Sequence, residues 1–180
     1  MWKVLTGGIH LDGLADSLDG LTGRSPAERL QIMGDSRIGV FGAVGLIFLL
    51  LLELAALAEL PFPLRARALL LAPAVGRLTP LLLARTFTPA TPGEGSGAAF
   101  MGAVTRGALG LGLGVIAAAG AMLAGLPGLV GAAVGLGLAW GLARLFSRRL
   151  GGLTGDSLGA AVESGELGVL LALVSLRHLA

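Results

Sequence analysis

From residue 40 onward the chain alternates long apolar runs with short polar punctuation; before residue 40 it does not. The first run, 40–60, is nearly unbroken hydrocarbon apart from Glu53 and Glu59. About 20 apolar residues in a helix cross a bilayer's hydrocarbon core, so this run predicts a span. A second, 68–87, is interrupted by Pro73, Arg77 and Pro80 and predicts a kinked span. Residues 88–106 read as a polar loop. Two glycine- and alanine-rich spans are predicted at 107–126 and 128–146, turning at Pro127-Gly128. Gly131/Gly135 and Gly137/Gly141 form two small-xxx-small pairs, a pattern that lets helix backbones approach closely. A short apolar helix, 167–179, ends the chain. The expectation is an all-α polytopic membrane protein of about five spans. It forms a single domain over 1–180: a first acidic motif and strut helix (1–39), spans (40–149), a second acidic motif (150–166) and a last short span (167–180).

The polar stretch ahead of the first span carries the chemistry. Residues 6–39 hold five of the eleven acidic residues: Asp12, Asp16, Asp19, Glu28 and Asp35. On a helix, Asp12, Asp16 and Asp19 fall within about 60° of one another. Like charges stacked on one face repel, and Gly13 and Gly20 weaken that helix further. The pattern asks for a cation. All-oxygen donors point to a hard one, Mg²⁺ first; the bland alternative is a solvated acidic face. Ser25, Pro26 and Glu28 have the form of a capping box that starts a short helix over 26–33. That strut returns Asp35 towards the other aspartates. Arg37 then holds a phosphate, pairs with an aspartate, or anchors the start of the span. Asp156 and Glu163, seven residues apart in the second motif, share a helical face. Glu53 and Arg77, inside spans, require protein partners or water; for Glu53, interhelical pairing or a watery cavity suits its position better than catalysis.

Composition sharpens the class. The chain is 54% hydrophobic and only 13% charged, against roughly 25% charged in soluble domains. It has no cysteine, so thiolate chemistry is excluded. No basic patch suggests nucleic acid. Threading the spans places Lys3, Arg24, Arg29, Arg37, Arg85, Arg106, Arg144, Arg148 and Arg149 at the end bearing the aspartates. These are nine of the thirteen basic residues. That excess assigns this end to the cytoplasm and brings both acidic motifs to one side.

Three segments closely resemble a known family: G-G-I-H-L-D-G-L-A-D-S-L-D-G (7–20), I-M-G-D-S-R-I-G (32–39) and G-G-L-T-G-D-S-L-G-A (151–160). They resemble the adenosylcobinamide-GDP ribazoletransferases, also called cobalamin 5′-phosphate synthases. Arg77, in P-A-V-G-R, looks like that family's mid-chain arginine; residues 88–100 depart from its usual pattern. The resemblance implies a Mg²⁺-dependent transferase of the bacterial cytoplasmic membrane, its acidic motifs facing the cytoplasm. It implies adenosylcobinamide-GDP and α-ribazole or its 5′-phosphate as substrates, with GMP released. Members carry several dozen more residues, a span among them, ahead of the G-G-x-H motif, and the expectation is a chain without that segment.

For such a reaction Asp12, Asp16, Asp19 and Asp35 form the metal-ligand pool, and one of them or Asp156 accepts the hydroxyl proton. Arg37 and Arg77 neutralise phosphate. His10 binds phosphate or acts as a base if it lies in the turn before the helix. Gly7, Gly8 and Gly155 can open backbone N–H groups to an anion, and Glu163 joins the substrate site. Lipid surrounds the spans, and the glycine-rich ones leave room for a homo-oligomer. A CDP-alcohol phosphotransferase-like phospholipid enzyme uses similar aspartates but a different spacing. A small-solute transporter would explain Glu53, Arg77 and a broken helix.

Overall fold

A computed structural model describes residues 2–93 and 95–179. Among these the secondary structure is helical, with a single isolated bridge between Pro89 and Leu153. Helix α1 (Trp2–Leu5) leads through Gly7 and Gly8, both at positive φ, into α2 (Ile9–Gly20). Next come α3 (Pro26–Met33), α4 (Val40–Glu59), α5 (Phe62–Ala84), α6 (Gly95–Ala103), α7 (Arg106–Leu150) and α8 (Gly155–Ser175). Four of them, α4, α5, α7 and α8, are long and apolar enough to cross a membrane.

Helix α7 is folded in two. Gly125 takes φ 60° and ψ −138°, a conformation open essentially to glycine. The Gly120 and Gly128 backbones pack so closely that a Cβ on Gly128 would overlap the Gly120 carbonyl oxygen. The chain therefore reverses at Gly125, two residues before the expected turn. Pro127 sits in the first turn of the returning half, where its missing N–H costs nothing. With this reversal the apolar helices make five passes, as expected.

The glycine pairs separate. Gly131 and Gly135 pack on α8, where a Cβ on Gly135 would lie 2.6 Å from the Gly165 carbonyl oxygen. Gly137 and Gly141 face open space.

Two expected boundaries move. Helix α5 begins at Phe62 rather than 68 and stays helical through Pro73 and Pro80. Arg65, in its first turns, donates to the Ala58 and Leu60 carbonyl oxygens (3.1 Å each) and closes the end of α4. The second acidic motif is not a loop before a short span. Residues 155–175 form one continuous helix, started by Thr154 and Ser157, each of whose hydroxyls accepts the other's backbone N–H (3.1 and 2.9 Å). That capping box lets α8 begin at the motif itself, so no boundary falls at 166/167. The expected loop 88–106 is also partly ordered. Ala90 N–H donates to Leu153 O and Leu153 N–H to Thr88 O (2.9 Å each), and α6 follows.

Helix α8 is the enclosed centre, with Ala160, Ala161, Val162, Val169, Leu170 and Leu173 buried against α5 and α7. Helix α4 lies at the edge, with Phe41, Ile47, Phe48, Leu51 and Leu54 exposed. Burying apolar area drives the packing, and an outward apolar face of this extent is what a bilayer covers.

Candidate active site

Helix α2 is held between α4 and α8. Its Asp19 carboxylate accepts from Gly39 N–H (2.7 Å) and Gly42 N–H (2.9 Å), which have no partner of their own in the first turn of α4. Gly39 and Gly42 leave no room for a Cβ beside that carboxylate. On the other side α2 crosses the start of α8 at Gly13, where a Cβ would lie 2.8 Å from the Asp156 carbonyl oxygen. His10 runs against Gly159 in the same crossing. The two acidic motifs, over 130 residues apart in sequence, are thereby in contact.

Strut α3 matches its expected 26–33. Ser25 Oγ accepts from Glu28 N–H at 3.2 Å. The Glu28 carboxylate accepts from Arg24 N–H (2.8 Å) rather than from Ser25, so only half of the expected box forms. After α3 the chain turns, and Asp35 lines the same cavity as Asp12 and Asp16, with Gly7, Gly8 and Ser36 also on its wall. The cavity holds about 700 Å³. Asp35 is gripped by Arg37, whose Nε (3.0 Å) and Nη2 (2.7 Å) donate to its two oxygens. This fork holds the Asp35 carboxyl down at about 2, firmly ionised. Asp16 is pushed the other way, from the ordinary 3.8 to about 6, first by burial and then by repulsion from Asp12, Asp156 and Asp19. His10 is lowered by burial and by the Arg77 charge, which favours neutral imidazole.

A second cavity of about 400 Å³ lies across α2 from the first, lined by His10, Arg77, Phe100, Gly155 and Asp156 among others. The expected site residues therefore divide. Asp12, Asp16, Asp35, Gly7 and Gly8 face the larger space; His10, Arg77, Gly155 and Asp156 face the smaller. Gly8 N–H is already spent on the Lys3 carbonyl (2.9 Å). Asp19 has both oxygens engaged at α4.

Glu163 and Arg77 belong to a network that the sequence did not reveal. Glu53, Glu163 and Glu166 bring carboxylate oxygens within 4.8 Å of one another, and Lys3 fills their centre. Its ammonium is 3.1 Å from both Glu53 and Glu166 and closely paired with Glu163. Arg77 is closely paired with Glu166. Lys3 thus lies inside the bundle rather than at its charged end, leaving eight of the nine basic residues there. Glu53, an acid inside an apolar run, announced a need for a partner; nothing in the sequence singled out Lys3.

Two groups of acidic donors could meet a Mg²⁺ ion. The Lys3 cage already contains its cation. Asp12, Asp16 and Asp35 offer oxygen only and line one cavity. An all-oxygen donor set of this kind suits a hard cation that keeps waters and shares itself with substrate phosphates, as Mg²⁺ does. The residues fit.

Apolar passes enclosing an acidic two-cavity site define a polytopic helical membrane enzyme. The chain belongs to the cobalamin-5-phosphate synthase family, whose profile matches residues 1–174. It is 45% identical over 177 residues to the adenosylcobinamide-GDP ribazoletransferase of Citrobacter koseri, covering 95% of this chain and 70% of that one. The enzyme of the same name from Klebsiella pneumoniae is 43% identical over 176 residues, with the same coverage. The protein is a transferase of cobalamin synthesis. No solved structure matches it.

Proposed function

We propose that this chain joins adenosylcobinamide-GDP to α-ribazole or its 5′-phosphate, with Mg²⁺ held by Asp12, Asp16 and Asp35. The observation that carries this is the shared cavity of those three aspartates, with Asp156 brought against α2 through Gly13. A ribose hydroxyl attacks the cobinamide-side phosphorus of the diphosphate. The new P–O bond forms as the bond to GMP breaks, the hydroxyl proton passes to a carboxylate, and GMP leaves as the anion.

Bare carboxylates repel a diphosphate; bound Mg²⁺ supplies the positive charge that offsets its oxygens in the transition state. The chain's residues set the geometry. Arg37 keeps Asp35 ionised and aimed. Asp19, by closing α4, fixes the end of α2. Asp156 reaches the site from the opposite wall and takes the hydroxyl proton. Glu53 and Arg77, the groups that would suit a transporter, are paired with Lys3 and Glu166, which favours the transferase reading. The excess of arginines at this end supports its lying in the cytoplasm, and the family resemblance supports the bacterial inner membrane.

The test is GMP release by purified protein in detergent. It should require both substrates and Mg²⁺, and EDTA should abolish it. GMP formation without the ribazole, or at full rate in EDTA, would overturn the reading.

A further inference from the structure

The two cavities differ in size and chemistry. The one bearing Asp12, Asp16 and Asp35 is larger, at about 700 Å³, and its wall mixes polar and apolar groups. The one behind α2 is smaller, about 400 Å³, and mostly apolar, lined by Pro80, Leu81, Phe100 and Val162 together with His10, Arg77 and Asp156. Ile9 lines both, so a single turn of α2 separates them.

We propose that the smaller cavity is the acceptor pocket, taking a nucleoside whose uncharged fused-ring base packs on Leu81, Phe100 and Val162 while its ribose points to Asp156. This rests on the transferase reading above and deepens it. Three observations favour this occupant. A corrin carrying a nucleotide is several times larger than a nucleoside, and 400 Å³ is within the range of a small-ligand pocket. A mostly apolar lining with a few polar groups matches an uncharged aromatic base joined to a hydroxyl-rich sugar. The third is directional. Displacement at phosphorus sets the attacking and leaving oxygens roughly in line, on opposite sides. The diphosphate sits over the aspartates of the larger cavity, so the attacking hydroxyl must arrive from across α2. Gly13 has no side chain where α2 meets Asp156, which leaves that approach short. Arg77, one-third exposed and on this wall, lies within the pocket for a 5′-phosphate when the acceptor carries one.

The pocket is tested with Phe100→Ala and Leu81→Ala, by varying each substrate separately. Phe100 is 39% exposed, so its truncation leaves the core intact even if Leu81→Ala fails to fold. Losing an aromatic stacking surface typically costs a bound base about ten-fold. KM for α-ribazole should therefore rise about ten-fold in Phe100→Ala, with KM for adenosylcobinamide-GDP within two-fold. Binding of α-ribazole alone, followed by its benzimidazole fluorescence, should weaken by the same factor. A rise confined to the corrinoid KM, or equal in both, would place the nucleotide there and overturn the assignment. Unchanged ribazole KM and binding would mark the cavity as filled by lipid or detergent. Wild-type protein that releases no GMP would instead defeat the transferase reading itself.

Discussion

At the scale of single residues, the aspartates of α2 look alike in sequence and act differently in the fold. Asp12, Asp16 and Asp19 share a face, and spacing alone puts all three in one metal pool. The partner that separates them, the start of α4, is twenty residues further on, and its need for a cap shows only once it packs there. Removing the Asp19 cap should cost about 1–2 kcal/mol, so Asp19→Ala should lower the melting temperature in detergent. Asp16→Asn should do the opposite. Its carboxyl titrates near 6 in the fold against an ordinary 3.8, so between those values the folded protein keeps a proton that the unfolded chain has lost. The folded state is then penalised at neutral pH, and stability from this group increases as pH falls through about 6 towards 4. Metal-free protein should melt higher at pH 5 than at pH 7, Mg²⁺ at pH 7 should raise it too, and Asp16→Asn should blunt both responses. The same variant should lose at least about 100-fold in GMP release, the scale of losing one transition-state charge contact. A variant that keeps near-normal turnover would remove Asp16 from the site.

At the scale of elements, the spans were legible because hydrocarbon runs are long and their interruptions few. The ends were not, because they depend on partners. Phe62–Leu64 joins α5 ahead of the expected start at 68, since Pro63 is at home in a helix's first turn. The motif at 151–166 read as separate from the last short span, yet Asp156, Glu163 and Glu166 ride on the same continuous helix, α8, and the charges of Glu163 and Glu166 are met by other elements. The cage formed by Lys3 with α4 and α8 joins three elements through groups from which water is excluded. Removing one partner from such a buried network typically costs about 3–5 kcal/mol. Lys3→Met should therefore destabilise the detergent-solubilised protein on that scale in thermal melts, and Lys3→Arg should restore much of it. An unchanged melting point for Lys3→Met would mean that α1 does not hold α4 to α8.

At the scale of the whole molecule, one arrangement decides whether the site exists: both motifs must reach the same end of the bundle. An odd number of passes between them would forbid it. Passes α4, α5 and the two halves of α7 make four, an even number, only because α7 reverses at Gly125. A straight helix of 45 residues would extend about 68 Å, far beyond one bilayer, and would carry Asp156 to the wrong side. The chain's lack of cysteine gives a clean background for testing this. Single cysteines at Gly23, Pro92 and Gly151 should be labelled by an impermeant maleimide only from the side of the aspartates. Cysteines at Phe62 and Leu126 should be labelled only from the other. With the first side proposed as cytoplasmic from the arginine excess, only the latter pair should react in intact cells. Labelling of Gly23 and Gly151 positions from opposite faces would separate Asp12 from Asp156 by a bilayer, and no two-walled site could then assemble within one chain.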